Sequence, residues 1–161
     1  MAYYFLYDAL IPDYIEEEGF YSKAKLHCTL AYSKDDFSYE DLDKLDILNI
    51  PQEQEATVTG VAILNNHITL LINNPNLSVI NKNILAQFSI VEDYNERLIH
   101  ISIKKNLKEI PGSLEYIEHK YCGKKIILHT PKLFIKNSIS QEKTIITLDS
   151  IELSNTKKIK Y

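Results

Sequence analysis

Apolar and polar positions divide this chain into short strands and three amphipathic helices. Ala2 to Leu10 (AYYFLYDAL) is dense in aromatic and aliphatic residues that favour extended backbone, and it reads as a buried first strand. Alternation places Tyr3, Phe5 and Tyr7 on one face of that strand and Tyr4, Leu6 and Asp8 on the other. Pro12 breaks the run, residues 13–19 form an acidic connection, and a second strand spans about Ala24 to Tyr32. Ser38 to Leu48 opens on a capping residue and carries Leu42, Leu45 and Leu48 on a helical stripe, and Pro51 follows it. Ala56–Leu64 and Ile68–Asn73 are apolar and β-branched. Asn65-Asn66 stands between them, and Asn tolerates the positive φ of a tight turn, so the pair predicts a hairpin.

Pro75 to Phe88 carries the strongest helical stripe, with Leu77, Ile80, Ile84, Leu85 and Phe88 on one side and Asn74 or Asn76 as cap. A strand from about Arg97 to Lys104 comes next, then a helix within Leu107–Lys120 that is in place by Ser113. Strands at Lys124–His129, Lys132–Lys136 and Thr144–Leu153 complete the chain. The succession is that of a single α+β domain over residues 1–161, in which two halves of similar order are scaffolded by curved sheets.

Composition narrows what such a domain does. At 45% hydrophobic residues the chain can bury one substantial core, and its four glycines mark no linker. Two cysteines and no long apolar run imply neither a disulfide scaffold nor a membrane segment, and a cytoplasmic setting is the simplest expectation. The net charge of −4 argues against coating long nucleic acid, which requires a basic surface. Charge is unevenly spread: residues 1–99 hold six Lys/Arg against sixteen Asp/Glu, and residues 100–161 hold twelve against six. The C-terminal half can therefore draw a small anion, although Lys104, Lys105, Lys108, Lys120, Lys124 and Lys125 also fit a solvated surface.

The candidate chemistry lies in two strands. In Lys25-Leu26-His27-Cys28-Thr29-Leu30-Ala31-Tyr32-Ser33 and in Leu98-Ile99-His100-Ile101-Ser102-Ile103, an imidazole and a hydroxyl stand two residues apart. Residues i and i+2 of a strand share a face, so each stretch offers one His beside one hydroxyl. One such motif says little. Two of them facing each other over a groove hold an acid–base pair suited to a phosphodiester, because imidazole, with an unperturbed pKa of about 6.5, can serve as base in one copy and acid in the other. Thr29 and Ser102 would then hydrogen-bond the non-bridging oxygens.

His27-Cys28-Thr29-Leu30 and His100-Ile101-Ser102-Ile103 resemble the paired His-x-Thr/Ser-hydrophobic motifs of the 2H phosphoesterase (LigT-like) superfamily. Within it, the string Lys25 to Ser33 is most similar to the phage anti-CBASS phosphodiesterases, and Tyr94 fits their second motif. The resemblance implies a bilobal fold with two curved antiparallel sheets around a central groove and helices outside. It also implies metal- and cofactor-independent hydrolysis of cyclic di- or trinucleotide immune messengers in the host cytoplasm, by a protein expected to be a monomer. It further implies a base-stacking aromatic in the first strand, for which Tyr4 and Tyr7 are the candidates. A late carboxylate is also implied, for which Glu142, then Glu152, is the candidate. The family's usual tryptophan has no counterpart, since the chain contains none.

Three rival readings remain. His119, Cys122 and His129 could hold zinc, although their spacing is loose and no fourth ligand is evident. The same fold could instead act on 2′,5′-oligoadenylates, 2′,3′-cyclic phosphates at RNA ends, or ADP-ribose cyclic phosphate. Finally, the protein could sequester a nucleotide without cleaving it.

Overall fold

A computed structural model describes residues 2–92, 98–105, 113–137 and 139–148. The first strand, β1 (Tyr3–Leu10), pairs antiparallel on one side with β2 (His27–Ser33) and on the other with β6 (Lys125–Lys136). The hairpin of β3 (Glu53–Leu64) and β4 (His67–Asn73) turns through Asn65 and Asn66, at φ 48° and 63°, as Asn residues allow. With β5 (His100–Lys105) and β7 (Lys143–Thr147) these strands form one seven-stranded sheet in the order β1-β2-β5-β4-β3-β6-β7. Every strand pairing is antiparallel, and the additional β1–β6 pairing bends the first six strands into a ring.

The ring has two lobes because β6 changes partners halfway. Lys125–His129 pair with β3, and Lys132–Lys136 pair with β7. Between them Thr130 adopts φ 50°, Pro131 supplies no N–H, and the β1 register slips between Leu6 and Asp8. The two strands expected at 124–129 and 132–136 are therefore one strand with a kink. At the opposite seam the lobes touch lightly, β2 and β5 meeting at the single pair Cys28↔Ile101.

The core fills one face of this sheet. Phe5, Tyr7, Cys28, Leu30, Leu70, Ile101, Ile103, Ile126, Leu128 and Leu133 are all 0% exposed. Each fully buried Leu, Ile or Phe contributes about 1.5–3 kcal/mol of burial free energy. Helix α1 (Pro75–Phe88) lays Leu77, Ile80, Ile84 and Phe88 over β2, and helix α2 (Ser113–Tyr121) buries Ile117 and Tyr121 against β3. α1 begins where the sequence predicts: the Asn74 side chain accepts from the Asn76 N–H at 2.9 Å, and Pro75 occupies the first turn. The helix expected at Ser38–Leu48 is a 3₁₀ helix, Tyr39–Ile47. Its leucines recur every three residues, so three residues per turn aligns them on one buried side, where an α-helix would rotate them apart. The last strand is described to Thr147, and the remainder of Thr144–Leu153 beyond residue 148 lies outside the described residues.

Candidate active site

Cys28 and Ile101 face each other across β2 and β5, and both side chains point into the core. Strand alternation therefore turns His27, Thr29, His100 and Ser102 to the other face. Continuing the antiparallel register sets His27 opposite Ser102 and Thr29 opposite His100. In a regular antiparallel pair directly opposed Cβ atoms lie about 4.5–5.5 Å apart, and diagonal neighbours such as His27 and His100 stand about 7–8 Å apart along the backbone. The two motifs are thus related by a local two-fold axis through Cys28 and Ile101. Each His stands beside its own hydroxyl along the strand and the other motif's hydroxyl across it.

The imidazoles share one local geometry. His27 Nδ1 lies 2.9 Å from the Lys25 carbonyl oxygen, and His100 Nδ1 lies 2.7 Å from that of Leu98. A carbonyl only accepts, so Nδ1–H donates in both and Nε2 is the atom directed to other chemistry. His67 makes the same bond, at 2.8 Å to the Asn65 carbonyl. All three are the first residue of a strand, so the bond follows from strand entry. His67, with Thr69 two residues on, shares this face by the same alternation; what distinguishes His27 and His100 is that they stand on adjoining strands, on either side of the Cys28–Ile101 pair.

A buried clamp holds the first motif in register. β2 carries a bulge at Leu30: Phe5 pairs with Ala31, but Leu6 pairs with Thr29. The Asn81 amide of α1, 7% exposed, donates to the Leu30 carbonyl at 2.7 Å and to Glu92 Oε1 at 3.2 Å. Glu92 Oε2 in turn accepts from the Tyr32 N–H at 3.3 Å. The bulge also moves Tyr32 onto the face of Thr29, opposite Tyr4 and 44% exposed.

Beside His27 the site opens into a groove of about 530 Å³. Asp8 is the cross-strand partner of His27, and its carboxylate pairs with Lys132 Nζ at 2.7 Å. Tyr4 and Phe134, cross-strand partners in β1 and β6, stack with centroids 4.8 Å apart at 25° and wall the groove. Burial raises the Tyr4 phenol above its ordinary pKa. Lys25 and Lys143 complete the rim.

Tyr7, the other aromatic candidate, is 0% exposed on the core face, and its hydroxyl donates to the Pro51 carbonyl at 2.7 Å while accepting from Gln54. It cannot stack a ligand, because it shares the core-facing parity of Tyr3 and Phe5. Glu142 is exposed in the turn before β7 and does not line the groove; the acidic residue that does is Asp8. Tyr94 and Glu152 lie outside the described residues. Among the described residues no three His, Cys, Asp or Glu side chains gather to hold a metal, so His119, Cys122 and His129 form no zinc site; the His129 ring bonds Thr130 instead. Cys28 and Cys122 form no disulfide.

Several of the expected anion-drawing lysines are otherwise engaged. Lys120 pairs with Glu17 at 3.1 Å, Lys124 with Asp13 at 3.8 Å and Lys125 with Glu55 at 3.9 Å, while Lys104 lies over Phe20. Lys108 is outside the described residues. Sequence reasoning missed Asp8, Lys132, Phe134, Lys143 and the Asn81–Glu92 clamp. Alternation gives the parity of β1, but nothing local says which strand will lie beside it. Among the described residues, no helix is long and apolar enough to cross a membrane.

No protein-family model and no curated protein matches the chain. Solved structures do. A protein described as a phosphoesterase is 15% identical, with TM-score 0.57 over 91% of this chain and 94% of that one. E. coli LigT complexed with 3′-AMP is 15% identical, with TM-score 0.56 over 91% and 94%. TT0787 of Thermus thermophilus is 10% identical, with TM-score 0.59 over 92% and 96%. The chain thus has the α+β fold of the LigT-like 2H phosphoesterases.

Proposed function

We propose that this protein is a phosphodiesterase that opens cyclic di- or trinucleotides by two-histidine acid–base catalysis without a metal. The observation that carries the reading is the single-face quartet of His27, Thr29, His100 and Ser102, built symmetrically across β2 and β5. In the reaction one Nε2 takes the proton of a ribose 2′-hydroxyl as its oxygen bonds to phosphorus. The other Nε2–H gives its proton to the departing 5′-oxygen as the P–O5′ bond breaks. Thr29 and Ser102 donate to the non-bridging oxygens, whose charge grows in the transition state. Both proton transfers are met by imidazole, and the product carries a 2′,3′-cyclic phosphate that water can open by the reverse roles.

A nucleotide ligand is supported by the fold and by the solved complexes of LigT with 3′-AMP, NADP+ and ATP. Cyclic messengers of the anti-CBASS kind are supported by the resemblance of the Lys25 to Ser33 string. Tyr4, backed by Phe134, is the base-stacking ring in this reading.

The test is chromatography of products from a panel of cyclic di- and trinucleotides, 2′,5′-oligoadenylate and a 2′,3′-cyclic phosphate, all in EDTA. Linear fragments from the 3′,5′ rings are expected, and rings lacking the 2′-hydroxyl should persist. Release of intact ligand after heat denaturation would mean a sponge, and cleavage confined to one of the other substrates would move the assignment there.

A further inference from the structure

The sheet face that carries the two motifs is built of cross-strand rows. Along β1 the row of His27 holds Asp8, the next holds Leu6 and the one after holds Tyr4. In the middle row Thr29, Leu6 and Lys132 lie side by side across β2, β1 and β6. In the row of Tyr4, Tyr32, Tyr4, Phe134 and Ile145 do the same across β2, β1, β6 and β7. Successive rows on one face are about 6.6 Å apart along the strands. The groove beside His27 therefore meets, in order, an imidazole, a cation and an aromatic pair.

The middle row is where the two lobes part in chemistry. The local two-fold axis through Cys28 and Ile101 carries Thr29, Leu6 and Lys132 onto Ser102, Thr69 and Ala62, which are likewise cross-strand partners. A lysine in one lobe thus answers to an alanine in the other. Adjacent strands lie about 4.8 Å apart, so the Lys132 backbone stands about 10 Å from that of Thr29, with Leu6 between them. Its side chain turns toward the row of His27, where Nζ meets Asp8 Oδ2 at 2.7 Å. An ammonium has three donors, and the aspartate fixes where they point without using them all. Lys25 and Lys143 line the same groove, so its lysines outnumber its one carboxylate. The surplus charge calls for an anion, and lysine suits phosphate as a point charge. A phosphate at the His27–His100 pair already has Thr29 and Ser102 as donors, so the lysine is left for another.

Resting on the phosphodiesterase reading above, we infer that Lys132, held by Asp8, binds a second phosphate of the substrate: the uncut one on the nucleoside that stacks against Tyr4 and Phe134. Lys132 is then a specificity-determining residue. It favours a nucleoside phosphorylated at both its 3′ and 5′ oxygens, as every unit of a cyclic di- or trinucleotide is, over one that carries a single phosphate. It also gives the bound substrate a direction, with the second phosphate over Leu6 and not over Thr69.

The test is calorimetric titration with uncleavable 2′-deoxy ligands: 2′-deoxyadenylyl-(3′,5′)-2′-deoxyadenosine, and the same compound with a terminal phosphate at its 5′ or its 3′ end. In the wild-type protein a terminal phosphate at one end should lower Kd about tenfold or more, the scale of one charge-assisted hydrogen bond. Lys132→Met should erase that advantage, and Lys132→Arg should keep most of it. The double variant Asp8→Asn/Lys132→Met, which leaves no orphaned carboxylate, should also lack it and guards against a folding defect in Lys132→Met alone. No advantage at either end in the wild type, or an undiminished one in the variants that lack Lys132, would overturn the subsite. Turnover of the corresponding ribonucleotides is read separately. A wild-type protein that cleaves none of them would defeat the catalytic reading, and the ratio of Kd values would still decide whether Lys132 holds a phosphate.

Discussion

The two halves of the candidate site start from the same local plan and finish differently. In each, a strand opens on a histidine, donates Nδ1–H to the carbonyl two residues earlier, and sets a hydroxyl beside the imidazole. The His27 half is then held by a bulge, a buried amide and an ion pair, and is walled by aromatic rings. In the His100 half the position that matches Asp8 is taken by Leu71, which carries no charge. Local sequence thus builds the symmetric part, and distant strands add the asymmetric part.

If the symmetric part does the chemistry, losing either hydroxyl should matter equally. Thr29→Val and Ser102→Ala are each expected to lower kcat by about 100-fold, the usual scale for one oxyanion donor, with KM little changed. A large loss at only one of them in steady-state kinetics would break the symmetry. Recognition should be unequal. Tyr4→Ala removes a stacking ring worth about 1–3 kcal/mol, so KM should rise by about tenfold, whereas Tyr4→Phe should leave it near wild type. An unchanged Tyr4→Ala KM would remove the aromatic half from ligand binding.

The clamp comes next in size. Asn81→Leu leaves the Leu30 carbonyl unpaired in the core and should cost about 1–3 kcal/mol in chemical unfolding, and it should lower kcat through the drift of Thr29. Asn81→Asp keeps the shape but supplies no amide donor and should not restore either. Normal turnover in a destabilised Asn81→Leu protein would make the clamp structural only.

The smallest effect lies on the core face of β1. Burial holds the Tyr7 phenol up at about 12, from an ordinary 10.0. The folded protein keeps that proton where the unfolded chain releases it, so stability from this group is complete below pH 10 and is lost as pH rises toward 12. Tyr7→Phe should flatten that alkaline decline in thermal melts, and Tyr4→Phe should flatten it less.

Much of the framework was legible in the sequence for reasons that are local. Asn74-Pro75 followed by a 3.6-residue stripe marks α1 at both ends, and Asn65-Asn66 marks the hairpin. The pairing of the motifs was legible as a possibility, because each His-x-Thr/Ser has its own parity. What was not legible depends on long-range partners. Both faces of β1 are aromatic, so alternation alone could not say that Tyr4 faces the groove and Tyr7 the core. The bulge at Leu30 reverses parity and brings Tyr32 to the groove face, and no residue pattern announces it. Asp8 meets Lys132 only because β6 passes beside β1 after its kink at Thr130-Pro131.

The central claim is that His27 and His100 act as one pair across β2 and β5. The most direct test is a double-mutant cycle in single-turnover rates on a 3′,5′-linked ring, in EDTA, with His27→Ala, His100→Ala and both together. Each single variant should lose about 100-fold or more, and the double variant should be scarcely worse than the weaker single, because half an acid–base pair is of little use without the other half. Full activity in either single variant, or losses that multiply in the double, would contradict the pairing.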